Sequence, residues 1–549
     1  MKIYTFDTTL RDGTQGESVS FSVDDKLAIA QKLDDLGIDY IEGGWPGSNP
    51  KDKQFFERAS ELNLRHAKLT AFGSTRFARN PVEKDPNVRE LVQAGTPVIS
   101  IFGKSWDLHT KRALGITEEE NLALIGETVA YLVSHGKEVV YDAEHFFDGY
   151  ASNPSFALRT LEAAKKNGAS VLCLCDTNGG TLPHRVAELV KVVKEKFGGI
   201  VGIHAHNDSD TAVANTLMAV EAGATHVQGC INGYGERCGN ANIVSIIANL
   251  ELKMGHDTVG RDRLPELTSI ARFIADRANL LMRGDQPFVG KSAFAHKGGV
   301  HVSAVMKDAS TYEHVQPELI GNRQRVLLSD LSGRSNVSYK LDHYGFAEGL
   351  DDDARRRLLE NIKEMEHQGY DFEVAEGNFE LLVLQERFPD KRFFSLVGFD
   401  VATKAYGQGK SEAVASIIVN DQGHLRAATG SGQGPFDALH NALRKCLAGH
   451  YPGFDKVKLR DYKVRVLNGN RGTAAKVRVL VEWADDERTW TTVGISHDVI
   501  QASARAMLDA IRLELLRAHA SGKIVEAPVP DRNGAHQDSE IHEAYGWGV

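Results

Sequence analysis

Cysteine is scarce, with five in 549 residues, and an odd, scattered set of this size supports neither a disulfide framework nor a zinc ribbon. Cys173 and Cys175 alternate with leucine in VLCLCD and read as small core residues of a buried strand. Proline is also sparse, 15 against 52 glycines, a balance that suits many tight turns. No apolar run approaches the ~20 residues that a bilayer span needs. The start, MKIYTFDTTL, reads as a strand rather than a charged-then-apolar leader, so a cytoplasmic protein without a membrane partner is expected. Positive charge is not in excess: 64 Lys and Arg face 74 Asp and Glu, and the basic residues are spread along the chain. That distribution gives no footprint for nucleic acid. What remains is the composition of a globular protein, 42% hydrophobic and 25% charged, long enough for two or three domains.

From the N-terminus, short β-branched runs alternate with amphipathic segments that carry start and stop signals. The runs are KIYTFD, DYIEGG, HAKLTAF, PVISIFG, EVVYDAEHF, SVLCLCDT, IVGIHAHN and HVQGCING. Between them, SVDDKLAIAQKLDDLG pairs Ser22 with Asp25 as a capping box and stops at Gly37; Thr117 and Glu120 stand in the same relation. Eight strand and helix units over roughly 255 residues predict a (β/α)8 barrel across residues 1–280. An open doubly wound sheet is the alternative, but no dinucleotide fingerprint follows the first strand.

In a barrel, catalytic groups cluster at the carboxyl ends of the strands. Here those ends carry Arg11, Asp12, Glu42, Lys104, Glu144, Thr177, His204, His206 and Asn232. So many ionisable groups at one rim need a cation or an anionic substrate to organise them. Residues two apart on a strand share a side, so His204 and His206 of IHAHND face inward while Ile203 and Ala205 face the helices. A hydrogen-bonded pair of core histidines would fit the same pattern. Asp12 at the end of the first strand and Asn240 after the eighth, read as opening a helix, favour a metal site instead. One carboxylate, two imidazoles and an amide oxygen suit Mg²⁺, Mn²⁺, Co²⁺ or catalytic Zn²⁺ better than structural zinc.

Taken together, TTLRDGTQ, IHAHND and GYGERCGN resemble the signature of the isopropylmalate, homocitrate and citramalate synthase family, within the metal-dependent barrel lyases and carboxyltransferases. GGWPGSNPKD, VVYDAEHFFDGY, AHKGGVHVSAV and TWTTVGISHDVIQASARAML look most like the branch whose acceptor is pyruvate. The resemblance implies condensation of acetyl-CoA with a 2-oxo acid, followed by thioester hydrolysis. It implies that Asp12, His204, His206 and Asn240 hold a divalent ion. It makes Arg11, expected to point differently from its neighbour Asp12, a stabiliser of developing negative charge. Thr177 would bind the oxo acid's carboxylate, and either Glu144 or His301 would remove the acetyl proton. Glu42 is a weaker candidate.

Beyond the barrel, residues 281–385 read as irregular segments with short helices. His301 and Tyr312 there match positions with which the family completes its active site, commonly from the partner subunit of a dimer. The basic run GNRQRVLLSDLSGRSN suits either CoA phosphates or a solvated face. Residues 386–525 carry an internal repeat of two βββα units that aligns Gly430 with Gly494, Ala438 with Ala502 and Ala442 with Ala506. These units resemble the family's regulatory domain, which for this branch implies isoleucine as effector. A dimerisation module without ligand is the alternative, and residues 526–549 form a polar tail. Two alternative functions are a related synthase using 2-oxoisovalerate or 2-oxoglutarate, and an inactive amino-acid-sensing regulator. Intact Arg11, Asp12, Glu144, His204 and His206 argue against the regulator.

Overall fold

The computed structural model describes residues 1–327 and 350–522 with Tyr339 and Leu341, apart from 371, 373, 406–410, 449, 452–456, 468–471, 473 and 486–487. The expected tail and the 328–336 part of the basic run lie outside them. The chain divides into two compact units: Met1–Ala295 with Ala309–Arg325, and His296–Asp308 with the described residues from Val326 onward.

In the first unit, all eight expected strands close into one barrel in sequence order. They are β1 (Tyr4–Asp7), β2 (Tyr40–Gly44), β3 (Lys68–Ser74), β4 (Val98–Lys104), β5 (Glu138–Glu144), β6 (Val171–Asp176), β7 (Ile200–Ala205) and β8 (His226–Gly229). Parallel pairing of β1 with both β2 and β8 closes the ring. The helices begin and end where the sequence signals them. Asp25 donates its amide to Ser22 Oγ and returns a carboxylate to the Ser22 amide, opening the helix Val23–Leu36, and Gly37 ends it in the left-handed region. Thr117 and Glu120 open Glu118–Ser134 in the same way. A large apolar core fills the space between strands and helices and includes Ile203 and Ala205, as the two-residue period requires. Inside the ring, Phe6, Tyr40, Val98, Val140, Val171, Cys173 and Cys175 form a separate apolar cluster. All five cysteines are free thiols.

The second unit carries the two repeats. Strands β9 (Phe394–Ala405), β10 (Ser411–Asp421) and β11 (His424–Gly432) form one antiparallel sheet before the helix Pro435–Leu447. Strands β12 (Lys458–Val466), β13 (Val477–Ala484) and β14 (Thr489–Ser496) form another before Val499–Ala520. The alignment of small residues has a physical cause. A Cβ on Gly430 would lie 2.5 Å from the Ala438 carbonyl oxygen and 2.3 Å from the Ala442 nitrogen. On Gly494 it would meet the Ala502 carbonyl oxygen at 1.9 Å and the Ala506 nitrogen at 2.9 Å. In both repeats a strand glycine lets the helix backbone sit directly on the sheet.

Candidate active site

After β1 the chain turns back on itself: Thr8 Oγ1 accepts the Asp12 amide, and the Thr8 carbonyl accepts those of Arg11 and Gly13. This tight turn puts Arg11 and Asp12 side by side, with side chains that meet at one point and reach on to different partners. Arg11 Nη1 lies 3.3 Å from Asp12 Oδ2, while its Nε donates to Glu42 Oε2 at 2.7 Å. The guanidinium also lies over the Phe72 ring, 3.6 Å from its centroid. Glu42 is fully buried and sits where the register of β2 shifts. It therefore belongs to the centre of the site more firmly than its sequence context suggests. Burial pushes the Glu42 carboxyl up to about 7, against the pull of Arg11.

His204 and His206 both turn inward from the end of β7, each 6% exposed. Their Nε2 atoms stand 3.4 Å apart, and His204 Nε2 is 3.2 Å from Asp12 Oδ2. Burial opposes ionisation of Asp12, but Arg11 and the hydrogen bond with His204 hold its carboxyl well below the usual range. Burial and then the neighbouring His204 lower His206 to about 4, so it presents a neutral ring.

Asn240 does not open a helix. It bridges to His206 in extended backbone, and Asn242 caps the helix Ile243–Leu252. Although Asn240 is 2% exposed, neither its Oδ1 nor its Nδ2 has a hydrogen-bond partner among the described residues. A Cβ on Gly235 would lie 2.4 Å from Asn240 Oδ1, so a glycine there is what lets the loop close over the amide.

These groups fit a divalent cation. The donor atoms of Asp12, His204 and His206 all lie within 4.8 Å of one another, all three residues are buried, and Asn240, whose amide is orphaned, bridges to His206 through the backbone. An ionised carboxylate, neutral imidazole and unpartnered carbonyl are the ligands that hard and borderline divalent ions take. An orphaned amide is costly unless something binds it.

Around this centre, Glu144 pairs with Lys104 at the ends of β5 and β4. Thr177 Oγ1 accepts the His145 amide at 2.9 Å, a bond that does not use the hydroxyl proton. His145 is held in the left-handed region, and its Nδ1 lies 3.2 Å from Asp148 Oδ2. The His145 and His109 rings meet at 4.4 Å. Arg237 latches three loops together, donating twice to Asp208 and once to the Thr177 carbonyl. Asn232, counted at the rim, instead donates to the Ala271 carbonyl and accepts from Gln286. His301 lies on the short helix Gly299–Val305 of the second unit, and Tyr312, 46% exposed, in the Ala309–Arg325 segment of the first.

Several residues at the site escaped the sequence reading. Asp142, Ser100 and Gln228 are polar residues at inward positions of otherwise apolar strands, and that misfit was their one signal. Arg237 sits in a glycine-rich turn where nothing distinguishes it from a solvated side chain.

A closed parallel barrel with a carboxylate and two imidazoles converging at its carboxyl rim defines a metal-dependent barrel enzyme. Residues 2–274 match the family model described as HMGL-like, 288–370 the homocitrate synthase post-HMGL domain-like model, and 373–514 the LeuA allosteric (dimerisation) domain. The chain is 52% identical to the (R)-citramalate synthase of Aquifex aeolicus, across 95% of this chain and 99% of that protein. Identity to the (R)-citramalate synthase of Geobacter sulfurreducens is 51%, covering 93% and 97%. A 2-isopropylmalate synthase of Methanocaldococcus jannaschii is 30% identical, covering 93% and 94%. The chain belongs to the (R)-citramalate synthase family.

Proposed function

We infer that the protein joins the acetyl group of acetyl-CoA to the ketone of pyruvate and hydrolyses the thioester, giving citramalate and CoA. The observation that carries this reading is the buried Asp12, His204 and His206 cluster, present in a chain 52% identical to a named (R)-citramalate synthase over nearly its full length. A divalent ion, Mg²⁺ or Mn²⁺ with Co²⁺ or Zn²⁺ also compatible, held by Asp12, His204, His206 and Asn240, supplies a Lewis acid for the carbonyl under attack.

The chain's own residues do the rest. Arg11, fixed by Glu42 and Asp12, stabilises the negative charge that develops during condensation. Thr177 gives its hydroxyl proton to the carboxylate of the oxo acid. Glu144, oriented by Lys104, or His301 takes the methyl proton of the acetyl group, and Tyr312 helps to complete the site. The protein works as a cytoplasmic homodimer, and the two βββα repeats bind isoleucine, the end product of the pathway the reaction feeds. The family model's description of 373–514 as an allosteric dimerisation domain supports that role. No described helix is long and apolar enough to cross a membrane.

Release of CoA thiol from acetyl-CoA by Mn²⁺-loaded protein tests the assignment. Release is expected with pyruvate, well above that with 2-oxoisovalerate or 2-oxoglutarate, and isoleucine should suppress it. Preference for another oxo acid would move the substrate, and no release with any of them would overturn the synthase reading.

A further inference from the structure

Behind the two histidines, a second buried group of polar side chains runs across the barrel between β4, β5 and β8. His204 Nδ1 lies 2.8 Å from Gln228 Oε1 on β8. Gln228 Nε2 donates to Asp142 Oδ1 on β5 at 2.9 Å, and Ser100 Oγ on β4 donates to Asp142 Oδ2 at 2.6 Å. Gln228 and Asp142 are 1% and 4% exposed, and Ser100 is fully buried. Asp142 also lies near Cys173 and Cys175, with donor atoms within 4.8 Å. Both its oxygens, however, already serve Ser100 and Gln228.

With Asp142 ionised, one arrangement satisfies the group: its carboxylate accepts from Ser100 and from the NH₂ group of Gln228, which must turn toward it. The Gln228 oxygen is then directed at His204 Nδ1, which must carry a proton to bond it. With Nδ1–H engaged by Gln228, Nε2, whose proton faces Asp12 when no cation is bound, is the atom His204 has to offer to a cation.

We propose that Gln228 is a positioning residue: its carboxamide, oriented by Asp142, holds the proton of His204 at Nδ1 and so commits Nε2 to the metal. The inference rests on the reading of Asp12, His204 and His206 as metal ligands. Groups that orient a ligating histidine typically contribute about 10–100-fold to metal affinity. Asp142 acts through Gln228, so its contribution should vanish when Gln228 is gone.

The test is a thermodynamic cycle on Mn²⁺ affinity, read by the loss of the free-ion EPR signal in metal-stripped protein, with circular dichroism to confirm folding. Gln228→Met, which keeps the side-chain volume, should weaken binding by about tenfold or more. Asp142→Asn lets the neighbouring amide turn round and should weaken it comparably, while adding nothing in the Gln228→Met background. Ser100→Ala, a smaller change at the far end, should weaken binding less, and only while Gln228 is present; it carries the test should Gln228→Met not fold. Unchanged affinity in Gln228→Met, or losses that add independently, would overturn the proposal while leaving the metal site standing. Wild-type protein that binds no Mn²⁺ would overturn both.

Discussion

Toward the amino ends of its strands the barrel is plugged by Phe6, Tyr40, Val98, Val140 and Val171; toward the carboxyl ends the same tube holds Arg11, Asp12, Glu42, Asp142, His204 and His206. The first set packs ring on ring, with Phe6 stacked 5.9 Å from Tyr40, and each large side chain there contributes about 2 kcal/mol by leaving water. The second set gains nothing comparable, because burying charge costs more than pairing returns. Where a fold keeps such a layer, with Asn240 and Glu42 Oε1 left unsatisfied, function is the better explanation. The lower half holds the barrel closed so that the upper half can stay strained and ready to bind.

Substitutions should separate the two halves, and the largest effect belongs to the rim. Asp12→Asn should cut kcat/KM on the order of 10³-fold or more in protein that still folds, as steady-state kinetics and circular dichroism would show. Phe6→Ala should do the reverse, costing about 3 kcal/mol in denaturant unfolding while the folded fraction keeps its turnover. Thr177→Val should raise KM for the oxo acid by about tenfold with little change for acetyl-CoA, since one hydrogen bond to a charged group is removed.

The pH dependence of stability turns on Asp7, the residue after Phe6 on β1. Burial pushes its carboxyl up to about 7, although hydrogen bonds from Thr9 oppose the rise. The native state thus retains a proton that the unfolded chain gives up near pH 4. Stability from this group is full below that pH and declines as pH rises from about 4 to about 7, by at most about 1.4 kcal/mol per pH unit. Asp7→Asn should flatten that slope in unfolding measured across the same range.

The lower half of the barrel and its helices were the more legible in sequence. Period-two apolar runs, two capping boxes and Gly37 located elements because each signal is local. His204 and His206 were legible for the same reason: the strand period fixes their shared side. Contacts between strands were not. Nothing in the sequence says that Gln228 meets Asp142, 86 residues away, or that Glu144 meets Lys104. The contact between Arg11 and Asp12 depends on the turn after β1, which no local periodicity announces. Asn240 was read as opening a helix, and the structure gives that role to Asn242, two residues on. The repeat was readable because a glycine pressed on a helix tolerates no substitute at either position.

The central claim is that the polar half of the barrel exists to hold one divalent ion. Anomalous X-ray diffraction from crystals grown with Mn²⁺ addresses it directly. A single strong peak bonded to the Asp12 carboxylate, His204 Nε2 and His206 Nε2 is the expected result; a peak elsewhere, or no peak in the barrel at saturating Mn²⁺, would contradict it.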